Sequence, residues 1–136
     1  MDGGSRTATV TAVLGDTPYL VSLSDDLGHV WNADEPADLG GANVGPAPDR
    51  LLLGSLAACT AITLKMVATR KEWPLAGLRV ELALNPEGKP AAGTDIALRL
   101  VLEGELDEAQ RAWLRANHLP RSEDAIYASL SLSAYE

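Results

Sequence analysis

The chain contains no phenylalanine, one cysteine and two histidines in 136 residues. One cysteine excludes an intrachain disulfide and fits a reducing compartment, most simply the cytoplasm. Two histidines and one cysteine, widely spaced, form no metal-ligand pattern, so neither a metal site nor a cofactor is expected. Basic residues are scarce: 11 Lys and Arg against 19 Asp and Glu, a net charge of −8. They form no cluster, which argues against nucleic acid and anionic membrane as partners. The N-terminal MDGGSRTATV lacks a charged-then-apolar pattern, so no signal peptide is expected. The longest apolar run, residues 51–64, is closed by Lys65. It falls short of the roughly 20 residues of a membrane helix and reads as a buried core helix. The glycines at 40, 41 and 45 lack the Lys and Ser/Thr of a phosphate loop, and no Gly-x-Ser-x-Gly elbow occurs.

Hydrophobic residues make up 46% and charged residues 22%, so the chain is globular, and its length fits a single domain over 1–136. Without Phe, core volume must come from Leu, Val, Ile and Ala, with Trp31, Trp73 and Trp113 as large anchors. Alternation predicts strands at 7–13 and 19–23 and a short third strand around His29–Trp31, joined by turns at 15–18 and 25–28. These make an antiparallel meander with one buried face. Residues 34–46 are a long Gly/Pro-rich loop, a kind that often carries function.

A helix is expected from about 49 to 71, with Pro48 or Asp49 in its first turn and Pro74 as its stop. Its apolar residues surround the axis, so it must be covered on every side. A chain this short has little material for the second cover, and a homodimer is the expected solution. Leu78, Val80, Leu82 and Leu84 share one face, with Arg79 and Glu81 on the other, in a strand at 78–84. A second strand at 96–106 completes a hairpin. Residues 107–117 read as an amphipathic helix capped by Asp107. The tail, 122–136, reads as a helical turn followed by an edge strand around Leu130 and Leu132.

Several of these elements together resemble a known family. They are the acidic-Pro loop from Asp34, Gly40-Gly41, Gly45-Pro46-x-Pro48, Asp49 followed by Leu51-Leu52, Ala57-Ala58-Cys59-Thr60, and Trp73-Pro74-Leu75 before an alternating strand. The combination is similar to the family of osmotically inducible protein C and organic hydroperoxide resistance protein, and the order of elements agrees over most of the chain. The resemblance implies an α+β fold, with antiparallel sheets packed on long central helices in an intertwined homodimer. It also implies a cytoplasmic stress-response enzyme, a thiol peroxidase that reduces organic hydroperoxides. In such an enzyme one cysteine attacks the peroxide, a second resolves it, and an Arg and a Glu hold thiolate and substrate.

Cys59 fits the attacking position and Asp49 stands where the Glu is expected. The resolving cysteine is missing, with His118 roughly in its place, and an external thiol would have to act as reductant. Arg6 and Arg50 are the arginines before Cys59, and the motif places neither. Ten residues along one helix separate Asp49 from Cys59 by about 15 Å. Asp49 can therefore reach such a site only from the second subunit. Leu51, Leu52, Leu56 and Trp31 are candidate walls of an apolar substrate pocket.

Each candidate also has a plainer reading. Cys59 is a reactive thiolate or a small buried hydrophobe. Asp49 orients a substrate or opposes the helix dipole. His118 pairs with Cys59 or serves a helix C-terminus. The tryptophans line a pocket or anchor the core. Two functions follow: a hydroperoxide reductase, or a non-catalytic dimer of the same fold that binds a small apolar ligand.

Overall fold

The computed structural model describes residues 7–118. The expected helical turn and edge strand of the tail lie outside them. The chain divides into two compact units, one ending at Leu52 and the next beginning at Leu53. The boundary falls inside a helix and not in a linker.

The first unit is a three-stranded antiparallel meander of β1 (Val10–Leu14), β2 (Val21–Asp25) and β3 (Val30–Ala33), in that spatial order. The register sets Leu14, Val21 and Ala33 in line, with Ala12, Leu23 and Trp31 in the next row. The period of two thus gathers one apolar face. Within the chain that face is only partly covered, because every residue of β1 is exposed. The β2–β3 turn is locked by Asp25, whose carboxylate accepts the backbone N–H of Leu27 and of His29, each at 2.9 Å, and lies 2.7 Å from His29 Nδ1.

Helix α1 (Pro48–Arg70) runs for 23 residues, as the Pro48 start and the Pro74 stop predict. It is longer than its apolar run. By length and composition alone it would suffice to cross a membrane, although Asp49, Arg50, Lys65 and Arg70 interrupt it. It ends without glycine. Glu72 takes a left-handed φ of 58°, while Trp73 N–H reaches back to the Ala68 carbonyl at 2.8 Å and Glu72 N–H to Thr69 at 3.1 Å. This paired closure satisfies carbonyls that a helix end leaves open.

In the second unit, β4 (Leu75–Leu84) and β5 (Ile96–Gly104) form an antiparallel hairpin. Its register places Leu78 against Leu102, Val80 against Leu100 and Leu82 against Leu98. Those rows meet α1 and α2 (Glu108–Ala116) in a core of Leu64, Ala68, Leu75, Leu100, Leu102, Leu106 and Leu114, with Trp73 and Trp113 against it. Leucine therefore supplies the volume that phenylalanine does not. Asp107 and Gln110 form the reciprocal cap that starts α2. Arg111 donates to the carbonyls of Leu102, Gly104 and Leu106, and Arg115 to that of Leu100. The Leu100, Leu102 and Gly104 carbonyls belong to β5, and the Leu106 carbonyl to the link into α2.

The architecture is α+β with antiparallel sheets, as expected. The second cover expected for the central helix is not supplied by the described residues of its own chain. Among the described residues of the central helix, Thr60, Leu64 and Ala68 are buried, while Ile62 and Met66 stay 57% and 63% exposed.

Two outcomes follow. Leu64 is fully buried, so Leu64→Ala should cost about 2–5 kcal/mol in chemical denaturation; a cost below about 1 kcal/mol would contradict this packing. The His29 backbone N–H, assisted by the His29 ring and the Leu27 N–H, holds Asp25 below the usual carboxylate range. A carboxylate with a lowered pKa stabilises the turn at pH above its unfolded value, and that contribution disappears as pH falls through the folded value. An NMR titration of the Asp25 carboxyl should therefore show a midpoint below the ~3.9 of a free aspartate, with the Leu27 and His29 amides moving in the same step. A midpoint at or above it would refute the arrangement.

Candidate functional site

The site is prepared by the loop before α1. Asp34 directly follows β3 and is 2% exposed. Its carboxylate accepts the backbone N–H of Glu35 at 2.8 Å, Ala42 at 3.2 Å and Val44 at 3.3 Å. A buried charge is tolerated there because three donors replace its water. The two glycines explain the close wrap. A Cβ on Gly41 would run into the Glu35 carbonyl, and one on Gly45 into the Asn32 carbonyl. Asp34 N–H donates to the Pro46 carbonyl at 3.2 Å, fastening the loop's far end just before Pro48 opens α1.

In that first helical turn Asp49 and Arg50 bind each other. Asp49 accepts the Arg50 backbone N–H at 2.8 Å, and Arg50 Nη1 lies 3.2 and 3.1 Å from the two carboxylate oxygens. Both side chains are exposed to solvent. The motif alone gave Arg50 no place. The readable signal was the Asp-Arg dipeptide at a helix start, where the acid opposes the dipole and can hold its neighbour. Asp34 was also missed as an individual residue. An acid at the end of a strand and before a Gly-rich loop is the pattern that signals a carboxylate collecting backbone N–H groups.

Cys59 lies in the middle of α1, half-buried and with a free thiol. Its Sγ is 3.9 Å from Thr63 Oγ1, one helical turn on. The buried Thr60 hydroxyl beside it donates to the Leu56 carbonyl at 2.9 Å. Leu51, Leu52 and Leu56 are half-buried on the same helix, and Trp31 is half-buried on β3. Trp73 and Trp113 act as anchors: their rings meet edge to face at 5.6 Å, with Lys71 Nζ 5.2 and 4.8 Å from the two ring centres. His118 Nδ1 lies 2.7 Å from the Arg115 carbonyl. A carbonyl only accepts, so Nδ1 carries the proton, and the ring serves the end of α2. The structure thus joins Asp49 to Arg50, Cys59 to Thr63 and His118 to Arg115. Among the described residues, no three His, Cys, Asp or Glu side chains come together to hold a metal ion.

The comparisons agree with this architecture. Residues 40–119 match the model of the OsmC-like protein family. That is more than half of the chain, and the chain belongs to this family, as a member with one cysteine. No curated protein matches the sequence. Among solved structures, the chain is similar to an organic hydroperoxide resistance protein OsmC from Legionella pneumophila, with TM-score 0.59, 22% identity, and 85% of this chain and 83% of the other covered. An organic hydroperoxide resistance protein from Elizabethkingia anophelis superposes at TM-score 0.57 with 19% identity, covering 84% and 82%. The organic hydroperoxide resistance protein OhrB of Bacillus subtilis gives TM-score 0.50 with 24% identity, covering 83% of each chain. At these identities the likeness is one of fold.

The loop geometry yields a stability test. Asp34→Ala removes the acceptor of three backbone N–H groups and should cost about 1–3 kcal/mol. Chemical denaturation measures it, and a change within about 0.5 kcal/mol, the size of an ordinary surface substitution, would show that the carboxylate does not hold the loop.

Proposed function

We propose that this chain is a thiol-dependent peroxidase for organic hydroperoxides. It works in the cytoplasm as a stress-response homodimer, with Cys59 as nucleophile. The observation that carries the reading is the placement of Cys59, inside the Ala57-Ala58-Cys59-Thr60 segment of a family member whose structural neighbours are organic hydroperoxide resistance proteins. The Cys59 thiolate attacks the terminal peroxide oxygen. An S–O bond forms, the O–O bond breaks, and the leaving alkoxide takes a proton to become an alcohol. The cysteine becomes a sulfenic acid. With one cysteine in the chain, an external thiol condenses with it, releasing water and leaving a mixed disulfide, and a second thiol restores Cys59.

Asp49 of the second subunit orients the reacting groups in this reading, and the ion pair supplies a guanidinium with it. Arg50 thereby takes the place of the arginine that the family resemblance implies. Leu51, Leu52, Leu56 and Trp31 provide apolar surface for the hydroperoxide's organic part. His118 belongs to the end of α2 in the first instance, and a role beside Cys59 is secondary.

With cumene hydroperoxide and a dithiol reductant, wild type should consume peroxide and Cys59→Ser should not. Arg50→Ala should slow the reaction about 10²-fold or more, the scale on which a removed charge-stabilising donor acts. Equal rates in wild type and Cys59→Ser, or no consumption by either, would reject the peroxidase. One observation favours the second reading, a non-catalytic dimer binding a small apolar ligand: the near polar neighbour of Cys59 Sγ is a hydroxyl and not a cation. An apolar ligand bound equally by wild type and Cys59→Ser, without peroxide turnover, would establish it.

The dimer is tested separately. Ile62 and Met66 are large apolar residues that the chain leaves exposed on α1. Sedimentation should give twice the monomer mass for wild type, and Ile62→Asp should shift the protein towards monomer with its second-unit core intact. A wild-type monomer at micromolar concentration would remove the shared site.

A further inference from the structure

We draw no further inference here: the strongest candidate, the open groove on the outer face of α1 lined by Lys65, Met66, Thr69 and Arg70, carries nothing because nothing in the structure shows what covers it.

Discussion

The central helix is apolar on every flank, and its own chain buries one line of it. Thr60, Leu64 and Ala68 recur every four residues and form the stripe that faces the interior. Leu64 and Ala68 enter the leucine core beside Leu75, Leu100, Leu102 and Leu114. Ile62 and Met66 lie between those positions and stay in water. Fully burying a side chain of this size is worth about 1.5–3 kcal/mol, so leaving both uncovered forgoes stabilisation comparable with a large part of a domain's net stability. Nor is α1 alone in this. The apolar row of the meander ends in Val10 and Leu14, which are 60% and 59% exposed. Each of these uncovered faces is apolar surface of the kind that the proposed dimer would bury.

At its N-terminal end α1 is held by polar contacts instead. Asp34 gathers three N–H groups of a loop that two glycines allow to close tightly. The fastening to Pro46 fixes where the chain enters Pro48 and therefore where Asp49 and Arg50 begin the helix. The two ends of one helix thus have different supports: a buried carboxylate with satisfied donors before the first turn, and a leucine core with a left-handed closure at the last.

Most of the scaffold was readable because its signals are local. Alternation at Leu78, Val80 and Leu82 predicts a strand whose partners Leu102, Leu100 and Leu98 alternate in step. Asp107 predicts a cap that forms with Gln110. Pro48 and Pro74 bracket α1 to within a few residues. The depth of burial along α1 was not readable, since composition shows that a helix is greasy all round but not which flank the chain itself supplies. Arg50 and Asp34 escaped for a related reason. Their roles come from the bonds they make, to the adjacent Asp49 in one case and across ten residues of loop in the other. The strand begins at Leu75, three residues before the alternation from Leu78 predicts, because Leu75-Ala76-Gly77 breaks that alternation where the ladder itself carries an irregularity.

The position of Cys59 decides what kind of activation is physically open to it. A thiolate gains from a helix dipole only in the first turn, and Cys59 is ten residues beyond Asp49 on an unbroken helix. Thr63 offers a hydroxyl at 3.9 Å, a weak partner for sulfur and no source of charge. Stabilising a thiolate at this depth therefore requires a cation from outside the helix's own turns. A bare carboxylate such as Asp49 would repel the thiolate, so an acid makes sense there only when accompanied by a guanidinium. In the Asp49–Arg50 pair both side-chain bonds run through Nη1, which leaves the donors on Nε and Nη2 outside the pair and is what the proposed site would use. In the proposed site, the carboxylate would hold the guanidinium in place, and its remaining N–H groups would be the donors offered to a thiolate or a peroxide oxygen of the second subunit.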